Sequence, residues 1–377
     1  MNILYHQRTK SRDGQAVHIR ALIAALRARG HRVEEWALSP GEDGAMGSEG
    51  GAAGRLLARA PRALYELAEH AYGRFAAPRL EAAGRRLGAD LIYERYALGN
   101  TAGLRAARRL GIPLLLEVNS PLARERAEHE TLVFRRWAAH SERRLLQQAD
   151  RVLCVTRVLA DLIVEAGAPR PRVAVVRNGV DLARYPDPAF RPGEAVVIGF
   201  VGFVRDWNRL ERAFPFLARR DDATLLVVGE GPDRARLETL ARERGVAGRV
   251  RFLGSLPRDE VLAHVAAFDV ALLPEVTEYA SPLKLLDYLA AGRAVLAPDR
   301  ANLREVVEPD RDALLFDAAA PEAFDAALER LAASPELREK IGAAGRSTLL
   351  RHGLTWDGNA AKVVARFAEL RARGSGR

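Results

Sequence analysis

The stretch LPEVTEYASPLKLLDYLAAGRAVLAP, Leu273–Pro298, decides how the rest of the chain is read. Apolar runs at Val270–Leu273 and Ala294–Ala297 read as strands. Between them a loop feeds a helix through Ser281 and Pro282, a start signal in which the hydroxyl caps a free amide and proline has none to waste. Leu283, Leu286, Tyr288 and Leu289 are spaced to bury a face, and Gly292 is placed to end the helix. The spacing predicts strand, loop, capped helix, strand.

A helix start of this kind aims unpaired amides and its positive end at the loop, a natural seat for phosphate. Lys284 lies in the first helical turn and Asp287 one turn later. Because the only lysines are Lys10, Lys284, Lys340 and Lys362, the cationic surface is almost wholly arginine, and a lysine here stands out. Lysine suits phosphate as a compact point charge, while a carboxylate one turn on can accept from the vicinal hydroxyls of a ribose. The same pair also fits an i, i+3 ion pair on a solvated helix face.

At 377 residues the chain exceeds what one hydrophobic core serves, so two domains are expected. The formal charge of +9 and pI of about 10.1 suit an anionic substrate or an anionic membrane face. A nucleic-acid partner is not expected, because no aromatic stacking platform is interleaved with the basic residues. Cys154 is the single cysteine, which excludes a disulfide framework and a cysteine zinc site. Met1 leads straight into the strand-like run Ile3–Tyr5 without a signal-peptide pattern, and no window is apolar over a transmembrane length. A cytoplasmic protein, free or resting on a membrane, is the expectation.

In chain order, short apolar runs alternate with helical patterns. Strands are expected at Asn2–Tyr5, Arg32–Trp36, Asp90–Glu94, Pro113–Val118, Val152–Val155 and Val173–Val176. Helices are expected at Val17–Arg29, Thr101–Leu110, a long segment running on to Asp150, and Leu159–Ala166. Pro40–Gly54 reads as a mobile segment and Asp187–Gly193 as a linker. Between Arg55 and Gly88 arginine-bearing helical patterns carry Leu56, Leu57, Leu64, Leu67, Ala71 and Phe75 on one side, fit to pack on their own domain or to lie on lipid. After the linker the βα alternation restarts, with strands at Val196–Gly202, Leu225–Gly229, Arg249–Phe252 and Leu314–Phe316. Two successive open α/β sheets follow, with ligands beyond the carboxyl ends of the strands. The first loop, Thr9–Gln15, lacks the GxGxxG dinucleotide fingerprint.

The series NGVD (Asn178–Asp181), GFVG (Gly199–Gly202), VVGEGP (Val227–Pro232), FLGSLP (Phe252–Pro257) and SPLKLLDYLAAGRAVLAP (Ser281–Pro298) resembles the retaining glycosyltransferases of family 4. LIYERY (Leu91–Tyr96) and LLLEVNSPLARER (Leu114–Arg126) are similar to acceptor-domain segments of one subgroup. The resemblance implies a GT-B fold of two Rossmann-like doubly wound domains facing across a cleft. It places an acceptor domain at 1–186, a nucleotide-sugar domain at 187–354, and a final helix, about 355–372, back on the first. It implies a metal-independent enzyme moving a hexosyl group from a nucleotide sugar to an acceptor hydroxyl with retention. There would be no permanently bound cofactor. The donor would be a nucleoside-diphosphate sugar, UDP-sugar ahead of GDP-sugar, and the acceptor a glycan, a lipid-linked or a small molecule.

By the same resemblance Asp287 matches the second acid of the family's paired glutamates, which holds the ribose. Tyr279 stands where the first would be, so Glu278, one residue off, is the candidate to face the donor sugar. The diphosphate-clamping arginine and lysine fall at Phe203 and Asn208, leaving Arg205, Arg209 and Lys284 as substitutes. Asn119 stands where many members have a histidine. Glu278, Lys284, Arg205 and Asn119 are thus the expected catalytic residues. The donor site would add Ser281, Leu283, Gly202, Gly229, Gly231, Leu253 and Tyr279 to Asp287 and Arg209. Gly14, His18, Glu117 and Arg95 would face the acceptor, and no residue is assigned to a metal. Each also has a structural role open to it: Asn119 in a turn, Glu117 in an ion pair, His18 in packing. Two other activities fit the same fold, a sugar-nucleotide epimerase using Glu117 and Glu278, and a nucleotide-sugar-binding protein without turnover.

Overall fold

A computed structural model describes residues 1–9, 14–37, 61–129, 132–185, 193, 195–320 and 322–374. The expected mobile segment Pro40–Gly54 and all of the expected linker Asp187–Gly193 except Gly193 lie outside them. Contacts divide the chain into two units: Met1–Asn178 with Tyr279–Ser281 and Trp356–Arg377, and Gly179–Glu278 with Pro282–Thr355.

In the first unit β1 (Asn2–Gln7), β2 (Arg32–Ala37), β3 (Leu91–Arg95), β4 (Leu114–Val118), β5 (Arg151–Cys154) and β6 (Val173–Val175) form a parallel sheet in the order β2-β1-β3-β4-β5-β6. Strands covered on both faces must be apolar throughout. LIYER and LLLEV are buried at every position, so each acid or arginine at a strand's end has to find a partner inside. Order reverses between β1 and β3, which opens a crevice at their carboxyl ends.

The second unit repeats the plan with β7 (Val196–Val201), β8 (Ala223–Val228), β9 (Val250–Gly254), β10 (Val270–Leu272), β11 (Ala294–Pro298) and β12 (Leu314–Phe316), ordered β12-β11-β10-β7-β8-β9. Its reversal lies between β10 and β7. The helix Leu283–Ala290 crosses from β10 to β11 with every residue from Leu285 onward buried, and Gly292 ends it at φ 64° as expected. Its start differs from the sequence reading. Pro282 occupies the cap, no side chain bonds the first amides, and the helix begins at Leu283. Ser281 is held elsewhere: its carbonyl accepts from the Asn178 side chain at 2.6 Å, and it groups with the first unit.

Other boundaries shift as well. The segment expected as one helix to Asp150 is two, Leu122–His129 and Arg135–Gln148. Gly14, expected in a loop, opens the helix Gly14–Ala28. The seven residues Gly179–Tyr185 belong with the second unit, where the Val180 amide bonds the Leu354 carbonyl at 3.0 Å. The last helix, Trp356–Gly374, belongs to the first, and Arg29 grips Asp357 at 2.7 and 2.8 Å. Cys154 is buried and unbonded, its thiol pushed up to about 12 by burial.

Candidate active site

In the second unit the site grows from two glycine loops. The chain leaving β7 and the chain leaving β8 run in backbone contact: a Cβ on Gly229 would stand 2.0 Å from the Gly202 carbonyl oxygen, and one on Gly231 would stand 2.0 Å from that of Val204. Gly202 and Gly229 also take φ of 140° and 143°, which side chains rarely adopt. The glycines therefore bring the ends of β7 and β8 together as a bare backbone floor beside the sheet's reversal.

Lys284 comes down on that floor. Its ammonium lies 3.9 Å from the centre of the Phe200 ring, and a Cβ on Gly202 would meet Nζ at 2.8 Å. Tyr288, one turn on, receives the Val201 amide on its hydroxyl at 2.8 Å and so pins the helix to the end of β7. No carboxylate pairs with Lys284 among the described residues, and burial brings its pKa down to about 7. A half-buried cation without a counter-charge, beside a glycine floor and an uncapped helix start, can take an anion.

Arg205 follows on the loop after β7. Its guanidinium sits between Phe203, 4.7 Å away, and Trp207, 4.6 Å away. The Asn208 side chain closes the turn by accepting the Arg205 amide at 2.8 Å, and Arg209 takes a left-handed conformation next to it. Phe203 and Asn208, the positions where the clamp was expected, thus support the arginine between them. Arg209 lies 3.9 Å from Glu211. Leu253 is half-buried at the end of β9, and Leu283 opens the helix in front of Lys284.

Asp287 is placed differently from a free ribose acceptor. Arg258 reaches both its oxygens, at 2.6 and 3.0 Å, and the Tyr185 hydroxyl donates at 2.5 Å. Neither Arg258 nor Tyr185 was singled out in the sequence. The signal for Arg258 was a lone arginine directly after FLGSLP. Glu278 lies exposed in a turn of the second unit. Tyr279 and Ser281 group with the first unit and not with Lys284: Tyr279 packs on that unit's core, hydrogen-bonds Glu125, and gives its carbonyl to Thr156 at 2.9 Å.

In the first unit the structure brings together His18, Arg95, Glu117 and Asn119. Glu117, at the end of β4, accepts from His18 Nε2 at 3.0 Å, Tyr93 at 2.6 Å, Arg95 at 2.6 Å and Asn119 at 2.6 Å. Burial pushes its pKa up, but the charges of His18 and Arg95 and the bonds from His18 and Tyr93 outweigh this and hold it well below the usual carboxylate range. His18 Nδ1 stands 2.8 Å from Asn178 Oδ1. Gly14 is one turn before His18 on the same helix, exposed. A second buried pair, His6 with Glu94, was missed; the two are direct partners across β1 and β3, and the signal was a charged or titratable residue next to the end of each strand.

Comparison with known proteins bears on both units. The profile of Glycosyltransferase Family 4 matches residues 12–184, and that of Glycosyl transferases group 1 matches residues 195–334. A GDP-mannose-dependent alpha-mannosyltransferase of Mycolicibacterium smegmatis is 30% identical over 289 residues, 74% of this chain and 73% of its own. The chain belongs to glycosyltransferase family 4. The first match contains His18, Arg95, Glu117 and Asn119, and the second contains Gly202, Arg205, Lys284 and Asp287. Among solved structures, the family 4 fold seen here is shared with sucrose-phosphate synthase of Thermosynechococcus elongatus, at TM-score 0.77 and 19% identity over 99% of this chain and 100% of that one. It is also shared with Anabaena HepE in complex with UDP, at TM-score 0.69 and 15% identity over 98% and 100%. The chain is a GT-B glycosyltransferase. Among the described residues no helix is long and apolar enough to cross a membrane, and no three metal-ligating side chains gather.

Proposed function

We propose that the enzyme transfers a hexosyl group from a nucleoside-diphosphate hexose to an acceptor hydroxyl with retention at the anomeric carbon, and without a metal. The observation that carries this reading is Lys284, a cation without an ion-pair partner among the described residues, on the Gly202 floor at a helix start. As the bond from the anomeric carbon to the diphosphate breaks, negative charge grows on the leaving oxygen. The Lys284 ammonium, the first amides of the helix and Arg205 offset that charge. The acceptor oxygen bonds to the same carbon, and its proton passes to the departing phosphate. No protein carboxylate need take it.

In the first unit, the buried cluster around Glu117 orients Asn119 toward the acceptor's hydroxyls, while His18, with both ring nitrogens engaged by Glu117 and Asn178, holds Glu117 in place. Glu117 serves better as a fixed anion than as a proton shuttle, since four donors already fill it. That weighs against the epimerase, which needs Glu117 to exchange a proton. The relative from M. smegmatis is GDP-mannose-dependent by name, which favours a guanosine donor over the uridine expected from sequence.

Incubation with UDP- and GDP-hexoses, with and without sugar, inositol and lipid-linked acceptors, tests the proposal. Release of nucleoside diphosphate that depends on acceptor, in the presence of EDTA, is the expected result. An altered sugar still on its nucleotide, or tight binding without release in every combination, would overturn it.

A further inference from the structure

The helix Arg62–Leu87 packs on its unit by the side opposite to Leu64, Leu67 and Phe75. Its buried positions include Gly73, Ala76, Ala77 and Leu80, and a Cβ on Gly73 would meet Thr101 Oγ1 at 2.5 Å. Small residues thus let it lie close to the helix Ala102–Leu110. Leu64, Leu67 and Phe75 face outward instead, 56%, 42% and 68% exposed, with half-buried Ala71 between them. At helical spacing these four form one stripe. Of the residues the sequence places on the apolar side, fit either to pack or to meet lipid, Leu56 and Leu57 lie outside the described residues, and Leu64, Leu67 and Phe75 stay exposed.

A second element widens the stripe. The Glu66 carboxylate, 1% exposed, accepts the amides of Val133 and Phe134 at 2.8 Å each and so fixes the start of the helix Arg135–Gln148 beside it. Trp137 then stacks on His70 with ring centres 3.8 Å apart, yet remains 41% exposed, and Val133 is exposed next to it. Exposed arginines border both arms: Arg74 and Arg79 flank the stripe on its own helix, and Arg135 and Arg136 precede Trp137. None of the four pairs with a carboxylate among the described residues, while Arg85 of the same helix is paired with Glu81.

We propose that this face docks the enzyme on an anionic lipid surface, with Leu64, Leu67, Phe75 and Trp137 entering the headgroup layer and Arg74, Arg79, Arg135 and Arg136 binding its phosphates. Charge decides the occupant. A second copy of this chain, of net charge +9, would bring the same basic border against itself, whereas anionic lipid complements it. An interfacial tryptophan fits the same site.

Sedimentation of the full chain with vesicles tests this, using phosphatidylcholine alone and phosphatidylcholine mixed with phosphatidylglycerol. Binding to the mixed vesicles only, weakened by salt, is expected. Phe75→Ser combined with Trp137→Ser should lower vesicle affinity about tenfold or more, and Arg74→Gln or Arg79→Gln about fivefold each. The arginine variants and Phe75→Ser alone should keep the wild-type melting temperature, and all variants should keep nucleoside-diphosphate affinity, which separates this inference from the donor site. Failure of the wild type to bind mixed vesicles, equal binding by the variants, or a dimer in light scattering that Phe75→Ser disperses would overturn it.

Discussion

Arg258 holds Asp287 through two nitrogens, at 2.6 and 3.0 Å, in a carboxylate site only 7% exposed. A bidentate pair of this kind satisfies both oxygens and ties the helix Arg258–Ala266 to the helix Leu283–Ala290. Asp287→Asn leaves the Arg258 charge facing a neutral amide and should destabilise the second unit by about 3 kcal/mol. Urea unfolding measures this. If Asp287 also serves the ribose, the variant loses its preference for nucleoside over 2′-deoxynucleoside diphosphate in calorimetric titration.

Lys284→Met should weaken nucleoside-diphosphate binding by about tenfold to a hundredfold, the range for a charged hydrogen bond lost. It should also raise stability at neutral pH. The folded ammonium titrates near 7 and the unfolded one near its ordinary 10.5, so between these values the unfolded chain holds more protons and stability climbs with pH. The variant lacks that climb in thermal melts. Because a bound diphosphate favours the charged form, wild-type affinity should fall as pH rises through about 7, with proton uptake measurable in buffers of different ionisation enthalpy.

Gly229→Ala cannot be absorbed by a side-chain shift, since its Cβ would meet the backbone carbonyl of Gly202 at 2.0 Å. A cost of about 3 kcal/mol is expected, the sum of a strained φ and a displaced loop. Gly248→Ala, where a Cβ meets nothing within 4 Å, should change little. Paired thermal melts distinguish the two.

Glu117→Gln should cost about 3 kcal/mol at neutral pH, because His18 and Arg95 lose the charge they surround. The folded carboxyl titrates below its ordinary 4.5. Its stabilisation is therefore complete above about 4.5 and disappears as pH falls toward the folded value. Acid titration followed by circular dichroism should show a shallower decline for the variant than for the wild type.

The alternation of apolar runs with helical spacing in the sequence carried both sheets, because parallel strands covered on two faces must be apolar throughout and LLLEV or AVLAP admit little else. The parts of the proposed phosphate seat were legible for the same local reason: a proline-led helix start, a lysine in its first turn and glycines at two strand ends lie within short windows. What the sequence could not give was who pairs with whom. Asp287 meets Tyr185 from 102 residues away, and His18 meets Asn178 from 160 away. Periodicity records which side of an element is buried, not which distant side chain arrives there. It left open whether Leu64 and Phe75 pack or face outward; the close approach of the helix Arg62–Leu87 through Gly73 turned them outward. The sequence by itself determined most of the elements, the family and the helix start that carries Lys284. The tertiary structure decided that Arg258 takes Asp287, that Phe203 and Trp207 hold Arg205, and that four donors gather on Glu117, since each depends on contacts the chain makes only once folded.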